Sequence, residues 1–340
     1  MSLLGRTLIT VDPSLSNDLD QAISNVRTFD PSGYLPGLLL KSNEARVGHF
    51  AVRSFWIETG LRFKKKQLKN DLSSSKQIPG IGQRDILIPD QDRIHFWKNG
   101  VDTIFREGGG SRLIQQNSTL RLLSEVVKKQ SLSRHLFDKI IKGRESDVDM
   151  KQYRTISSLE DHVDMSCGSL LQLVLECGGI RENCPENEVI FEAAREVGIA
   201  HGLTNALRTS VPTASATGKV IIPQELCEKH GIKSPRYLLS ALGMGDEECR
   251  RHLQSAVQDI VEIARHHLQS AREKREDISN HPFGDMALSA FLPALASETF
   301  LDRLESHQFD LTDRTLRTVG RIEHIQCAQR LMLASWNKSF

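Results

Sequence analysis

The chain has 340 residues, 39% of them hydrophobic, 26% charged and 6% aromatic, and 44 Lys and Arg against 43 Asp and Glu leave a formal net charge of +1. With 23 Gly and 11 Pro this is an ordinary globular composition, which excludes collagen-like and low-complexity chains; the near-neutral balance also lacks the positive excess that drives nonspecific nucleic-acid binding. No run approaches the ~18 consecutive apolar residues that a membrane-spanning helix needs.

In chain order, MSLLGRTLITVD opens apolar with one arginine and no acid before Asp12. That start resembles a mitochondrial presequence without the Arg-rich, Ser-rich length of a full one, so residues 1–26 are set apart as an N-terminal segment with a targeting role in view, and 27–340 as one domain. Apolar residues then recur at steps of three and four, which predicts helices over 16–28, 43–66, 90–106, 117–143, 158–177, 187–208, 234–243, 247–276, 284–306 and 311–335. Strand alternation is almost nowhere, and the expected class is all-α.

Punctuation separates these segments: Pro31, Gly33, Pro36 and Gly37 mark the first break, Pro79, Gly80, Gly82 and Pro89 another, and Gly108 to Gly110 a third. Residues 69–89 read as a long polar loop. The second half of 158–177 is apolar nearly all round, as suits a helix in the middle of a bundle, whereas 247–276 carries one stripe of Leu253, Ala256, Val257, Ile260, Ala264, Leu268 and Ala271. Pro293 breaks the apolar run Met286–Leu295 and predicts a kink. In the last helix Leu316, Val319, Ile322, Ile325, Ala328, Leu331 and Met332 form a stripe that fits both a docked core helix and an interfacial membrane helix.

Metal and disulfide frameworks find little support. The six cysteines include no CxxC pair, and Cys177 with Cys184 lacks a second pair, so reduced thiols are expected. His266 and His267 are adjacent and project about 100° apart on a helix, which does not converge on one metal.

Residues 187–231, NEVIFEAAREVGIAHGLTNALRTSVPTASATGKVIIPQELCEKHG, form a long amphipathic segment, a polar stretch and a short apolar exit. This region resembles the second signature of the squalene and phytoene synthase family. Gly198, Ala200, Leu203, Thr204, Asn205, Leu207 and Arg208 match its helix, and Gly218, Lys219, Val220, Ile222, Pro223 and Leu226 match its exit, with Lys219 in place of an arginine. Phe29, Tyr34, Leu38 and Leu39 resemble the family's opening, FAVRSFWIET (50–59) its first signature helix, and RIHFWKNGVDTIF (93–105) its RxxxW segment. Gly168 falls where the family has a glycine that lets helices approach around the pocket. The resemblance spans roughly residues 27–300 and implies the isoprenoid synthase-type (trans-prenyltransferase) helical bundle around a central cavity.

In that family, Mg²⁺ ions bridge a prenyl diphosphate to two aspartate-rich motifs, because a hard cation needs oxygen ligands to stabilise the leaving diphosphate. Aligned here, Gly60 and Lys64 take the first pair of acid positions and Thr209 and Thr213 the second. The resemblance therefore implies a pseudoenzyme with no catalytic residue, no metal and no cofactor. AVRSFWIE, HFWKNGVD, GSLLQLVLE and IPQELC are similar to segments of a mitochondrial branch that keeps the fold without the acidic motifs. That likeness implies a scaffold assisting assembly of respiratory complex I (NADH:ubiquinone oxidoreductase), peripheral to the matrix face of the inner membrane. Its implied partners are complex I subunits or assembly intermediates, with contact to anionic lipid and none to nucleic acid. A prenyltransferase with displaced acids and an isoprenoid or lipid carrier are the alternatives.

Two readings of the charged residues stand side by side. In one, Arg53, Lys64, Asn205, Arg208 and Lys219 form a remnant anion pocket that binds phosphate without metal. In the other, the cations pair with Glu58, Glu176 or Glu196, and Asn205 is a polar core residue. The basic cluster Arg62, Lys64, Lys65, Lys66 and Lys69 is either a contact for anionic headgroups or a solvated helix end.

Overall fold

The computed structural model describes residues 9–60, 90–107, 110–232, 247–317, 321–337 and 340. Helices α1 (Ser16–Phe29) and α2 (Pro31–Leu39) lead into α3 (Asn43–Gly60), followed by α4 (Asp90–Glu107), α5 (Ser118–Gln130) and α6 (Arg134–Ser146). Helix α7 (Ile156–Val163) continues through a π-helical turn, Asp164–Gly168, into α8 (Ser169–Cys177). Then come α9 (Glu188–Thr217), α10 (Gln224–Lys229), α11 (Glu247–Glu273), α12 (Arg275–Asn280), α13 (Gly284–Ala290), α14 (Pro293–Ser306) and α15 (Arg321–Trp336). Among the described residues there is no strand; Gln152 and Val220 form an isolated parallel bridge.

The bundle is organised around helices buried on every side. All nine residues of α8 are buried, as are Val47 to Phe55 of α3, so neither helix has a face that solvent could wet. Helix α8 joins α3 to α9, which in turn packs against the π turn, α11 and α14, while α1 and α5 cover α3 from outside. The outer helices show the one-sided pattern expected at a surface. In α11 the residues buried are the stripe read from the sequence, Leu253 to Ala271, together with Cys249 and Val261.

Glycines set the closest approach. A Cβ built on Gly198 would lie 2.5 Å from the Gly168 Cα and 2.8 Å from its nitrogen, so α9 meets the π turn backbone to backbone. Any side chain at 198 would force the two apart.

Several boundaries differ from the sequence reading. The segment 31–39, read as a break, is α2: Pro31 occupies the first turn, where its fixed φ suits a helix and its missing N–H costs nothing, and Asp30 caps it by accepting from the Gly33 N–H at 3.2 Å. The single helix expected over 117–143 is two, because Ser131 adopts φ 50° and closes α5 in the left-handed conformation without a Gly or Pro to announce it. Helix α9 runs past 208 to Thr217, carrying Pro212 in its interior, and stops at Gly218 with φ 72°. The kink expected at Pro293 is a full break, with Pro293 opening α14. The predicted 234–243 helix, the 69–89 loop and the basic cluster Arg62 to Lys69, with Lys64, lie outside the described residues.

Residues 9–26 are part of the packed body. Ile9, Leu19, Ala22 and Val26 enter the main core, the last three at helical spacing along α1. A small second cluster of Leu292, Leu295, Leu331 and Ala334, flanked by Leu35 and Leu39, holds α15 against α14 and α2. Among the described residues no helix is long and apolar enough to cross a membrane.

Candidate functional site

The first charged cluster grows from the α1–α2 junction. The Asp30 carboxylate accepts from Ser32 Oγ at 2.6 Å and from the Gly33 N–H, and it pairs with Arg53 of α3, both side chains being almost fully buried. Burial alone would raise the pKa of Asp30, but the neighbouring Arg53, His201 and Ser32 outweigh it and hold the carboxyl below its ordinary value. Small residues make room: a Cβ at Gly33 would meet the Arg53 guanidinium, and one at Gly37 would meet the His49 ring.

Two neutral histidines complete this cluster. Burial, and then Arg53, push His49 down to about 3, and its Nε2–H donates to the Gly33 carbonyl at 2.8 Å. Burial likewise pushes His201 of α9 down to about 4, and its Nδ1 bonds Ser297 Oγ at 2.9 Å. Nε and Nη2 of Arg53, Nδ1 of His49 and Nε2 of His201 are buried without a protein partner. The Arg53 nitrogens are donors; the two imidazole nitrogens, each opposite a ring N–H that is already donating, are acceptors. Buried polar atoms of this kind are met by water or a bound polar group. Arg208 donates to Asn205 Oδ1 on the solvent side of α9 and is close enough to Asp30 to feel its charge.

A second cluster centres on Asp147. It pairs with Lys219, whose ammonium also lies 5.6 Å from the Tyr153 ring centre; it accepts from Tyr153 Oη at 3.3 Å, and His162 Nε2 lies 3.3 Å from its other oxygen. Burial keeps His162 neutral, with its pKa pushed down to about 4, and raises that of Tyr153. Beside them Arg144 of α6 lies over the Trp56 ring, 5.2 Å from its centre, and donates from Nη2 to the Trp56 carbonyl at 3.2 Å. Its guanidinium covers Gly60: a Cβ there would sit 3.1 Å from both Cζ and Nη2. On α9, the Thr209 hydroxyl is exposed and donates back to the Asn205 carbonyl at 2.8 Å, and Thr213 is half-buried.

The structure thus places Arg53 and Arg208, which is bonded to Asn205, within reach of the Asp30 charge, and engages Lys219 elsewhere, on Asp147. The acids expected as partners serve other groups. Glu58 accepts from Asn25 at 2.8 Å and Thr119 at 2.6 Å, Glu176 from the Ser133 N–H at 2.8 Å, and Glu196 is bonded to His267 at 2.6 Å. Sequence reasoning missed Asp30 as the partner of Arg53 and Arg144 as the neighbour of Gly60. Asp30 had a local signal, an acid directly before a proline that begins a helix; Arg144 had none, since it reaches its place from 84 residues along the chain.

An all-α bundle with this inner set of helices is the prenyl synthase architecture. A dehydrosqualene synthase solved with a ligand superposes with a TM-score of 0.63 at 17% identity, covering 96% of this chain and 99% of that one. Squalene synthase HpnC from Alicyclobacillus acidocaldarius gives 0.62 at 15%, covering 88% and 97%.

By sequence, the chain belongs to the squalene/phytoene synthase family, whose model matches residues 71–323. Among curated proteins it is similar to NADH dehydrogenase (ubiquinone) complex I, assembly factor 6, of Bos taurus, 28% identical over 93% of this chain and 81% of the relative. The human protein of that name is 27% identical over the same shares, and the Dictyostelium discoideum homologue 29% over 86% and 72%.

Proposed function

We propose that this chain is a non-catalytic member of its family that assists assembly of mitochondrial respiratory complex I, working as a peripheral protein at the matrix face of the inner membrane. The observation that carries the non-catalytic half is Arg144 beside Gly60. The resemblance to the synthases puts carboxylates at positions 60, 64, 209 and 213, and this chain has Gly, Lys, Thr and Thr. Residues of this kind do not fit Mg²⁺: they offer no carboxylate, and a guanidinium stands over the first of the four positions. Two unit cations about 4 Å apart repel by about 4 kcal/mol at an effective dielectric of 20, and a divalent ion doubles that. The assembly half is supported by likeness along most of the chain to relatives carrying that name.

The polar end of the bundle keeps a metal-free anion site as part of the same reading. Arg208 and Asn205 reach solvent or its edge, and Arg53, two of whose guanidinium nitrogens lack a protein partner, pairs with the same Asp30 whose charge Arg208 feels. Such a set suits the phosphate of a lipid or prenyl ligand. Native mass spectrometry of the purified protein is expected to reveal a retained phosphate-bearing ligand that Arg208→Ala releases.

The assembly role is tested in cells. Removing the protein is expected to lower assembled complex I on a native gel, with restoration by the wild-type gene; unchanged complex I would overturn it.

A further inference from the structure

The end of α15 is apolar on two opposite faces. Leu331 and Ala334 point into the fold and bury themselves on Leu292 and Leu295. Met332, Leu333 and Trp336 lie about half a turn away and are 58%, 60% and 86% exposed. Their spacing of one, three and four makes them one contiguous patch over a single turn. Among the described residues no helix covers it: hollows of about 490 Å³ and 410 Å³ flank α15, the first lined in part by Leu333 and by Arg272 and Arg330 paired with Glu298, the second by Met332, Trp336 and the Lys41–Asp285 pair. Leaving three large apolar side chains in water has a free-energy cost that a folded protein tolerates where something else removes the water.

Charge identifies what does so. Residues 311–340 contain five Lys and Arg against two Asp and Glu, although the whole chain is balanced to +1. A C-terminal sequence with a cationic surplus and an exposed tryptophan matches an anionic bilayer surface: cations are drawn to the headgroups, and tryptophan settles at the boundary between headgroup and acyl chain.

We infer that α15 is the membrane-contacting element of this protein, inserting Met332, Leu333 and Trp336 into the interfacial layer of an anionic bilayer while Leu331 and Ala334 keep the helix docked on the bundle. The inference rests on the peripheral-membrane part of the proposed function and supplies its structural means. It does not need the helix to leave the fold, because the face that meets lipid is already outside.

Vesicle flotation of the purified full chain tests it. Wild-type protein is expected to float with vesicles of phosphatidylcholine mixed with anionic phospholipid, far less with phosphatidylcholine alone, and to be released by high salt. The triple variant Met332→Gln, Leu333→Gln, Trp336→Gln should lose roughly tenfold or more of this partition while unfolding at an unchanged temperature, since all three side chains are exposed. Trp336 is also the most exposed of the three tryptophans, so its emission should shift to the blue on binding. Failure of the wild type to float, or equal flotation of the variant, overturns the inference. Self-association of the wild type without vesicle binding, abolished in the variant, would assign the patch to a second copy and also overturn it. If flotation fails while removal of the protein still lowers complex I, the membrane element alone is wrong.

Discussion

At the scale of single residues, stability is concentrated in ionisable groups removed from water. Arg53 and Asp30 are a buried pair, and breaking such a pair from one side leaves an uncompensated charge in the core. Asp30→Asn is therefore expected to destabilise the fold by about 3–5 kcal/mol, read as a lower urea midpoint with unchanged slope. Three buried histidines set the acid limit. His49, His162 and His201 have folded pKa values of about 3, 4 and 4, below the ordinary 6.5, so the unfolded chain takes up protons first as the pH falls. Their contribution is complete above pH about 6.5 and is lost towards pH 4, by roughly 3 kcal/mol for each histidine. His267, held between Glu196 and Glu160, has its pKa raised and acts in the opposite sense, adding stability at low pH that fades as the pH rises through its folded value. Because three groups oppose one, the urea midpoint should fall between pH 6.5 and 4.5; a midpoint that rises there would contradict neutral buried histidines. The sequence singled out Arg53 and Arg208 as cations on packed helices, but not which acids meet them. Pairing across the fold leaves no periodic trace, whereas the burial of α8 does.

Helix ends and crossings carry the next level of the argument. Helix α5 closes on Ser131 in a conformation that glycine adopts freely and other residues adopt at a cost of about 1 kcal/mol. Ser131→Gly should accordingly raise the unfolding free energy by up to about 1 kcal/mol, a gain read as an increased melting temperature. Gly198→Ala should do the reverse, because its methyl group meets the Gly168 backbone and not a side chain that could swing aside. A loss of about 1–3 kcal/mol is expected, and a neutral result would mean that α9 and the π turn are farther apart than described. The stripe of α11 and the buried α8 were readable because burial imposes a period of 3.6 on the sequence or removes polar residues altogether. The break at 131 and helix α2 were not. A left-handed serine has no sequence mark, and the Pro and Gly that normally end helices here open one and allow Arg53 and His49 to lie against it.

Taken as a whole, the molecule is a prenyl synthase bundle whose interior keeps charge but arranges it differently. Two of its acids, the buried Asp30 and the partly exposed Asp147, are each committed to a basic partner within the fold. The fold class was legible in the sequence, because the signature segments preserve helix spacing. What the sequence could not supply was the neighbour of Gly60, since Arg144 arrives there only through the packing of α6 against α3. The central claim is that a family built on magnesium-assisted loss of diphosphate is represented here by a chain without that reaction. Release of inorganic diphosphate from farnesyl or geranylgeranyl diphosphate, followed with purified protein across a magnesium titration, tests it most directly. The account predicts release no faster than in buffer at every magnesium concentration; saturable, magnesium-dependent release would contradict it.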